Sequence, residues 1–174
     1  MDNAAVETIL NRHSCRDFTG GEIPDEHVNL LMECLRWSPS AGNLQPWFFY
    51  IVKSRGAKRA LAEAAFHQDF IADAAVVFVV CAEPDASVSV YGERGRSLYC
   101  LQDTAAAAEN LILAATALGY GSCWIGAFNE GMAREALEIP RHLRPVAIVP
   151  IGPGKPVTRF PGRKSYPEVF EVVE

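Results

Sequence analysis

Residues 97–118 read as one unbroken helix closed by Gly119. At 1.5 Å per residue it would span roughly 33 Å. Its Ala-rich body is apolar on nearly every side, so it has to be covered on nearly every side. A chain of 174 residues can cover one face. A second copy is the economical cover for the other, which makes the helix an argument for a homodimer. The alternative is a helix wholly internal to a monomer.

The remaining elements fall around it. Residues 4–10 form a short helix with Asn3 as cap. Residues 24–37 form a second, with Val28, Leu31, Met32 and Leu35 on one face and acids at its start. Residues 48–53 are a strand, and Ser54 can cap a helix over 56–65. Residues 74–82 are apolar throughout, as in a central strand buried on both faces. The mixed Pro, Ser, Gly and charged stretch 84–95 reads as an exposed connection. A helix at 130–138 and a buried strand at 145–151 follow. The tail 166–173 alternates loosely and carries Phe170, Val172 and Val173. The length is that of a single domain, residues 1–174, with a real core.

Charge and cysteines narrow the function. A net charge of −5 and a pI near 5.4 argue against nucleic acid or an anionic membrane as the main partner. The longest apolar stretch, 104–118, is interrupted by Glu109 and Asn110 and is too short to span a bilayer. The acidic start Met1-Asp2-Asn3 is unlike a signal peptide. The five cysteines are odd in number and contain no Cys-x-x-Cys, as expected for reduced thiols in a cytoplasmic protein. The histidines are too widely spread for metal ligation. No Gly-x-Gly-x-x-Gly follows a strand, and the late Gly-Lys pairs do not fit a P-loop.

Two short segments carry the chemistry. The first is Ser38-Pro39-Ser40-Ala41-Gly42-Asn43-Leu44-Gln45-Pro46-Trp47. Pro39 ends the preceding helix and Trp47 opens a strand. A loop with two hydroxyls and two carboxamides is therefore pinned between rigid elements, which suits a flat ligand with several donors and acceptors. A plain helix–strand connection, with Ser and Asn as caps, is the competing account. The second is Arg12-His13-Ser14-Cys15-Arg16. Two guanidinium groups four residues apart could grip a phosphate and leave a hydroxyl and backbone N–H groups for a carbonyl. By itself such a segment is also a common solvated turn.

Together these segments resemble the nitroreductase family of FMN-dependent flavoproteins. So do Tyr91-Gly92-Glu93-Arg94-Gly95, Gln102-Asp103-Thr104, Gly121-Ser122-Cys123-Trp124-Ile125-Gly126-Ala127-Phe128, Arg144-Pro145-Val146 and Pro150-Ile151-Gly152. The resemblance runs from about Ile9 to Val169 in the family's order. It implies an α+β fold with a mostly antiparallel sheet flanked by helices, in an intertwined homodimer whose C-terminal segment joins the partner's sheet. It implies FMN as cofactor and NADH or NADPH as transient donor, with a nitroaromatic, quinone or related small molecule as acceptor. Arg12, Arg16 and Arg163 would hold the phosphate, with Lys155 and Lys164 as weaker matches. Ser14 or His13 would bond the pyrimidine end. Ser40 and Asn43, from the partner subunit, and main-chain groups of Cys123, Trp124, Ile125 and Gly126 would meet the ring. Trp124 is either a lid or core. Ile125 stands where many larger relatives carry an acid, so no side-chain acid serves the ring there. The flavin carries the hydride, and no catalytic side chain is expected. A non-catalytic flavin-binding or storage module, or other flavin chemistry such as dehalogenation or flavin fragmentation, are the alternatives.

Overall fold

A computed structural model describes residues 3–155 and 161–174. The element order is α1 (Ala4–Asn11), α2 (Asp25–Arg36), a 3₁₀ turn (Ala41–Asn43), β1 (Trp47–Val52), α3 (Arg55–Ala64), α4 (Phe70–Asp73), β2 (Val76–Ala82) and α5 (Pro84–Arg94). A π-helical turn (Gly95–Tyr99) leads into α6 (Cys100–Ala117). There follow β3 (Gly121–Ser122), α7 (Glu130–Leu137), β4 (Arg144–Gly152) and α8 (Tyr166–Val169).

The strands form one sheet in the order β1-β2-β4-β3, antiparallel at every step. All seven residues of β2 are buried. Its period-two alternation sends Val77, Val79 and Cys81 to one core, with Leu61 of α3 and Ala133 of α7. Val76, Phe78 and Val80 go to the other, with Leu31 and Leu35 of α2 and Leu111 and Ala115 of α6. The sheet is thus sandwiched, and the all-apolar strand follows from having no wet face.

The local signals act as expected at several ends. The Asn3 side chain accepts the N–H groups of Ala5 and Val6, and the Ser54 hydroxyl accepts that of Ala57. Gly119 closes the α6 end at φ +79°, a conformation that costs a glycine little.

One expectation is corrected. Residues 84–95 are not a connection but helix α5. Pro84 occupies its first turn, where a missing N–H costs nothing. The helix is broken at Gly92 (φ 58°, ψ −145°), and only Ser87 on it is buried before the π turn. Its amphipathic pattern is therefore too weak to mark it. The chain covers one face of α6, burying Asp103, Thr104, Ala107, Ala108, Leu111, Ile112 and Ala115. Leu101, Ala105, Ala106 and Leu113 stay half-buried, and Gln102 and Ala117 are exposed. The apolar tail finds no cover in its own chain either, Phe170 being 65% and Val173 88% exposed. No helix among the described residues is long and apolar enough to cross a membrane.

Candidate functional site

The N-terminal cationic segment is assembled by the sheet. α1 ends at Arg12, whose ψ of 128° turns the chain into an extended path. Ser14 then bridges Ser122 in parallel, and the Cys15 N–H donates to the Ser122 carbonyl at 2.7 Å. This is possible because Gly121 and Gly154 flank Cys15. A Cβ at either would lie 2.7 or 2.5 Å from its sulfur. The short strand β3, unmarked in the sequence, is what brings residues 12–16 beside Cys123.

The electrostatics report that juxtaposition. Burial pushes the Cys123 thiol up, while Arg16, a hydrogen bond from Ser14 and Arg12 pull it the other way. Among the described residues neither Arg12 nor Arg16 takes part in an ion pair. Arg12 is half-buried, Ser14 and Arg16 are exposed, and the His13 ring lies 3.0 Å from the Asn11 carbonyl through Nδ1. Lys155, by contrast, is committed to Asp17 at 2.8 Å.

Residues 123–126 run extended beside β4. The N–H groups of Cys123 and Ile125 donate to Pro150 and Ile148, at 3.3 and 3.0 Å. Cys123 and Ile125 are buried while Trp124 and Gly126 are exposed, so positions 124 and 126 share the outer face of this segment. A Cβ on Gly126 would meet nothing within 4 Å. Gly126 instead opens onto a cavity of about 290 Å³ bounded by Leu101, Thr104 and Ala105 of α6 and by Trp124 and Phe128. Trp124 is 39% exposed there and is a wall, not core. At the rim Arg144 holds Glu130 through two nitrogens at 2.8 to 3.2 Å. Phe128 and Arg144 carry a sequence signal only as members of motifs that resemble the family, and Glu130 carries none beyond opening a helix.

The 38–47 loop is built as a rigid turn. Gly42, Asn43 and Gln45 adopt φ of 58°, 55° and 51°. The Ser40 hydroxyl accepts the Gln45 N–H at 3.0 Å, and the Asn110 amide donates to Ser38 at 2.9 Å. Asn43 is exposed. Among the described residues no hydrogen bond or ion pair joins Ser40 or Asn43 to Arg12, Ser14, Arg16 or Gly126. The single chain also leaves Arg163 apart from Arg12 and Arg16. It is exposed, and its Nη1 donates to the adjacent carbonyls of Pro161 and Gly162. Among the described residues these three expected groups are thus not joined to one another by any hydrogen bond or ion pair.

The model of the nitroreductase family matches residues 9–68 and 56–153. The chain belongs to the nitroreductase family. It is 34% identical over 151 residues to a candidate NADH dehydrogenase/NAD(P)H nitroreductase of Archaeoglobus fulgidus, covering 84% of this chain and 83% of that one. It is 27% identical to the FMN reductase (NADPH) of Bacillus subtilis over 86% of this chain and 66% of the relative. A crystal structure of a nitroreductase family protein from Clostridium novyi NT superposes with a TM-score of 0.80 at 34% identity, covering 89% and 86% of the two chains. This nitroreductase-family chain is an enzyme of the oxidoreductase class, and its helix-flanked antiparallel sheet is the α+β arrangement expected of it.

Proposed function

We propose that this nitroreductase-family chain is an FMN-dependent enzyme that oxidises NADH or NADPH and reduces nitroaromatics, quinones or related small acceptors. The observation that carries the reading is the Ser14–Ser122 bridge, which sets Arg12, Ser14 and Arg16 beside residues 123–126. The residues present fit the cofactor. Two guanidinium groups with no ion pair among the described residues suit one terminal phosphate. A side-chain-free Gly126 lets a backbone N–H approach a ring atom.

FMN supplies two-electron carrier chemistry when bound. Arg12 and Arg16 neutralise its phosphate, and Ser14 or His13 offers a hydrogen bond to the pyrimidine edge. Trp124 and Phe128 wall the cavity that Gly126 opens onto, excluding water from one side. Ile125 is buried with its backbone tied to Ile148, so it places no carboxylate near the ring. Protons then come from solvent, and the chain contributes position and electrostatics.

Ser40, Asn43 and Arg163 complete the site from a second copy. The uncovered surfaces favour that assembly. β1 is an edge strand with Phe48 half exposed. The tail of each copy is apolar and bare, and α1, α2 and α6 enclose an apolar groove of about 410 Å³ containing Ile9, Trp37 and Leu113. The whole chain acts as one domain in such a dimer.

The test is anaerobic titration of FMN-loaded protein with NADH and NADPH, followed by reoxidation with a nitroaromatic or a quinone. Bleaching by the donor and recovery with the acceptor are expected. Protein that binds FMN but is not reduced would be a flavin store instead, and protein purified with FAD would overturn the cofactor assignment.

A further inference from the structure

The 3₁₀ turn Ala41–Asn43 is held from both sides by residues of the segment that follows β2. On one side the Asp103 carboxylate accepts the Ala41 N–H through Oδ1 at 3.1 Å, from the first turn of α6. Asp103 is buried, and its Oδ2 meets no protein donor among the described residues. A buried, half-satisfied carboxylate is costly, and Asp is a poor helix former. An apolar residue would serve the helix better, so the carboxylate serves the turn.

On the other side stands Tyr91 of α5. A Cβ on Gly42 would lie 2.6 Å from the Tyr91 hydroxyl oxygen, so the phenol fills the space that a side chain at 42 would need. Tyr91 is itself set edge-on to Tyr99, ring centroids 5.2 Å apart at 76°. Arg94 fixes Tyr99 by donating Nε–H to its hydroxyl at 3.0 Å while lying over its ring. Both contacts converge on the backbone of the one turn that lies between Ser40 and Asn43. Asn43 and Gln45 are L-residues at positive φ, which persist only when the surroundings over-determine them.

We propose that Asp103 and Tyr91 are positioning residues that hold the Ala41–Asn43 turn so that Ser40 and Asn43 meet the flavin ring. This rests on the flavin reading above. Asp103 fixes the start of the turn by hydrogen bonding, and Tyr91 fixes its middle by occupying the open side of Gly42. Neither touches the ring.

The experiment compares Asp103→Ala with Asp103→Asn, and Gly42→Ala with Gly42→Ala/Tyr91→Phe. Amide hydrogen exchange at residues 41–43 is measured without flavin, and FMN affinity and the bound-flavin absorption band with it. Asp103→Ala should speed exchange at Ala41 at least tenfold, raise the FMN Kd about tenfold and shift the band. Asp103→Asn, which keeps Oδ1, should restore all three to within about threefold. Gly42→Ala should weaken FMN binding, and removing the Tyr91 hydroxyl should recover part of the loss. Asp103→Ala with wild-type exchange and affinity would overturn the proposal, as would Asp103→Asn behaving like Asp103→Ala. A lower melting temperature with unchanged affinity and band would make Asp103 mere scaffold, which also overturns it. Wild-type protein that takes up no FMN defeats the flavin reading instead, and the exchange data still decide whether Asp103 holds the turn.

Discussion

Gly154 and Cys15 stand so close that a methyl group at 154 would lie 2.5 Å from the Cys15 sulfur. That contact sets how near the cationic segment can come to β4, since Cys15 is the buried residue between Ser14 and Arg16. Gly154→Ala should therefore destabilise the fold by about 1–3 kcal/mol through overpacking. Adding Cys15→Ala should recover part of that loss in denaturant unfolding, because it removes the sulfur in the way. A double variant no more stable than Gly154→Ala would mean the two positions are not in contact.

The charges of Arg16 and Arg12 both pull the Cys123 thiol down against the rise that burial imposes. Replacing either with Glu should lose a charge-assisted contact worth roughly 1.5–3 kcal/mol and add repulsion. FMN affinity should fall at least about tenfold, while riboflavin, which lacks the phosphate, should bind as before. Fluorescence titration with both ligands distinguishes this from general damage, which would weaken the two equally.

The thiol of Cys81, sealed in the central strand, is pushed by burial from 9.0 up to about 12. Its folded value lies above its unfolded one, so the stability tied to the protonated thiol is intact below pH 9. It is lost as the pH climbs from there towards 12. At pH 10 the loss from this group alone should be on the order of 1 kcal/mol. Urea unfolding at pH 8 and 10, on wild type and Cys81→Ala, measures it; an equal drop in both proteins would assign the effect elsewhere.

Every residue after Ser165 is exposed in the single chain, Val172 and Val173 most of all. Removing it should leave the melting behaviour of the isolated fold nearly intact yet weaken the dimer and release FMN in parallel. Sedimentation and flavin absorbance follow the two together. A truncated monomer that still binds FMN tightly would count against a shared site.

The sequence was most legible where one side chain has one environment. The all-apolar residues 74–82 have to hold a strand with two covered faces, which runs Val76–Ala82, and the positions of Asn3 and Ser54 alone mark them as caps. The 12–16 and 38–47 segments stand out in the sequence as polar candidates, but how they are held does not. The partners of Ser14 and Ala41 are Ser122 and Asp103, and no local rule links residues that far apart. α5 was missed because Gly92 and its short exposed course erase the helical period, and with it went the place of Tyr91 against Gly42. β3 was missed because two residues are too few to show alternation. Arg163 bonds only the neighbouring carbonyls of Pro161 and Gly162 among the described residues, and nothing local in the sequence signals a more distant partner.

Strand β3 has a consequence for how the molecule comes into being. The arginines of residues 12–16 are synthesised early, whereas Ser122, whose backbone bridges Ser14 between them, comes roughly a hundred residues later. Such a long-range closure is entropically slow and belongs to the late stages of folding. A growing chain on the ribosome can build α1 and α2, but its N-terminal extended segment has no edge to join until β3 emerges. At the proposed phosphate site, loading is thereby deferred to a chain that is nearly complete, and an interrupted translation product would carry the cations without the corner that gathers them.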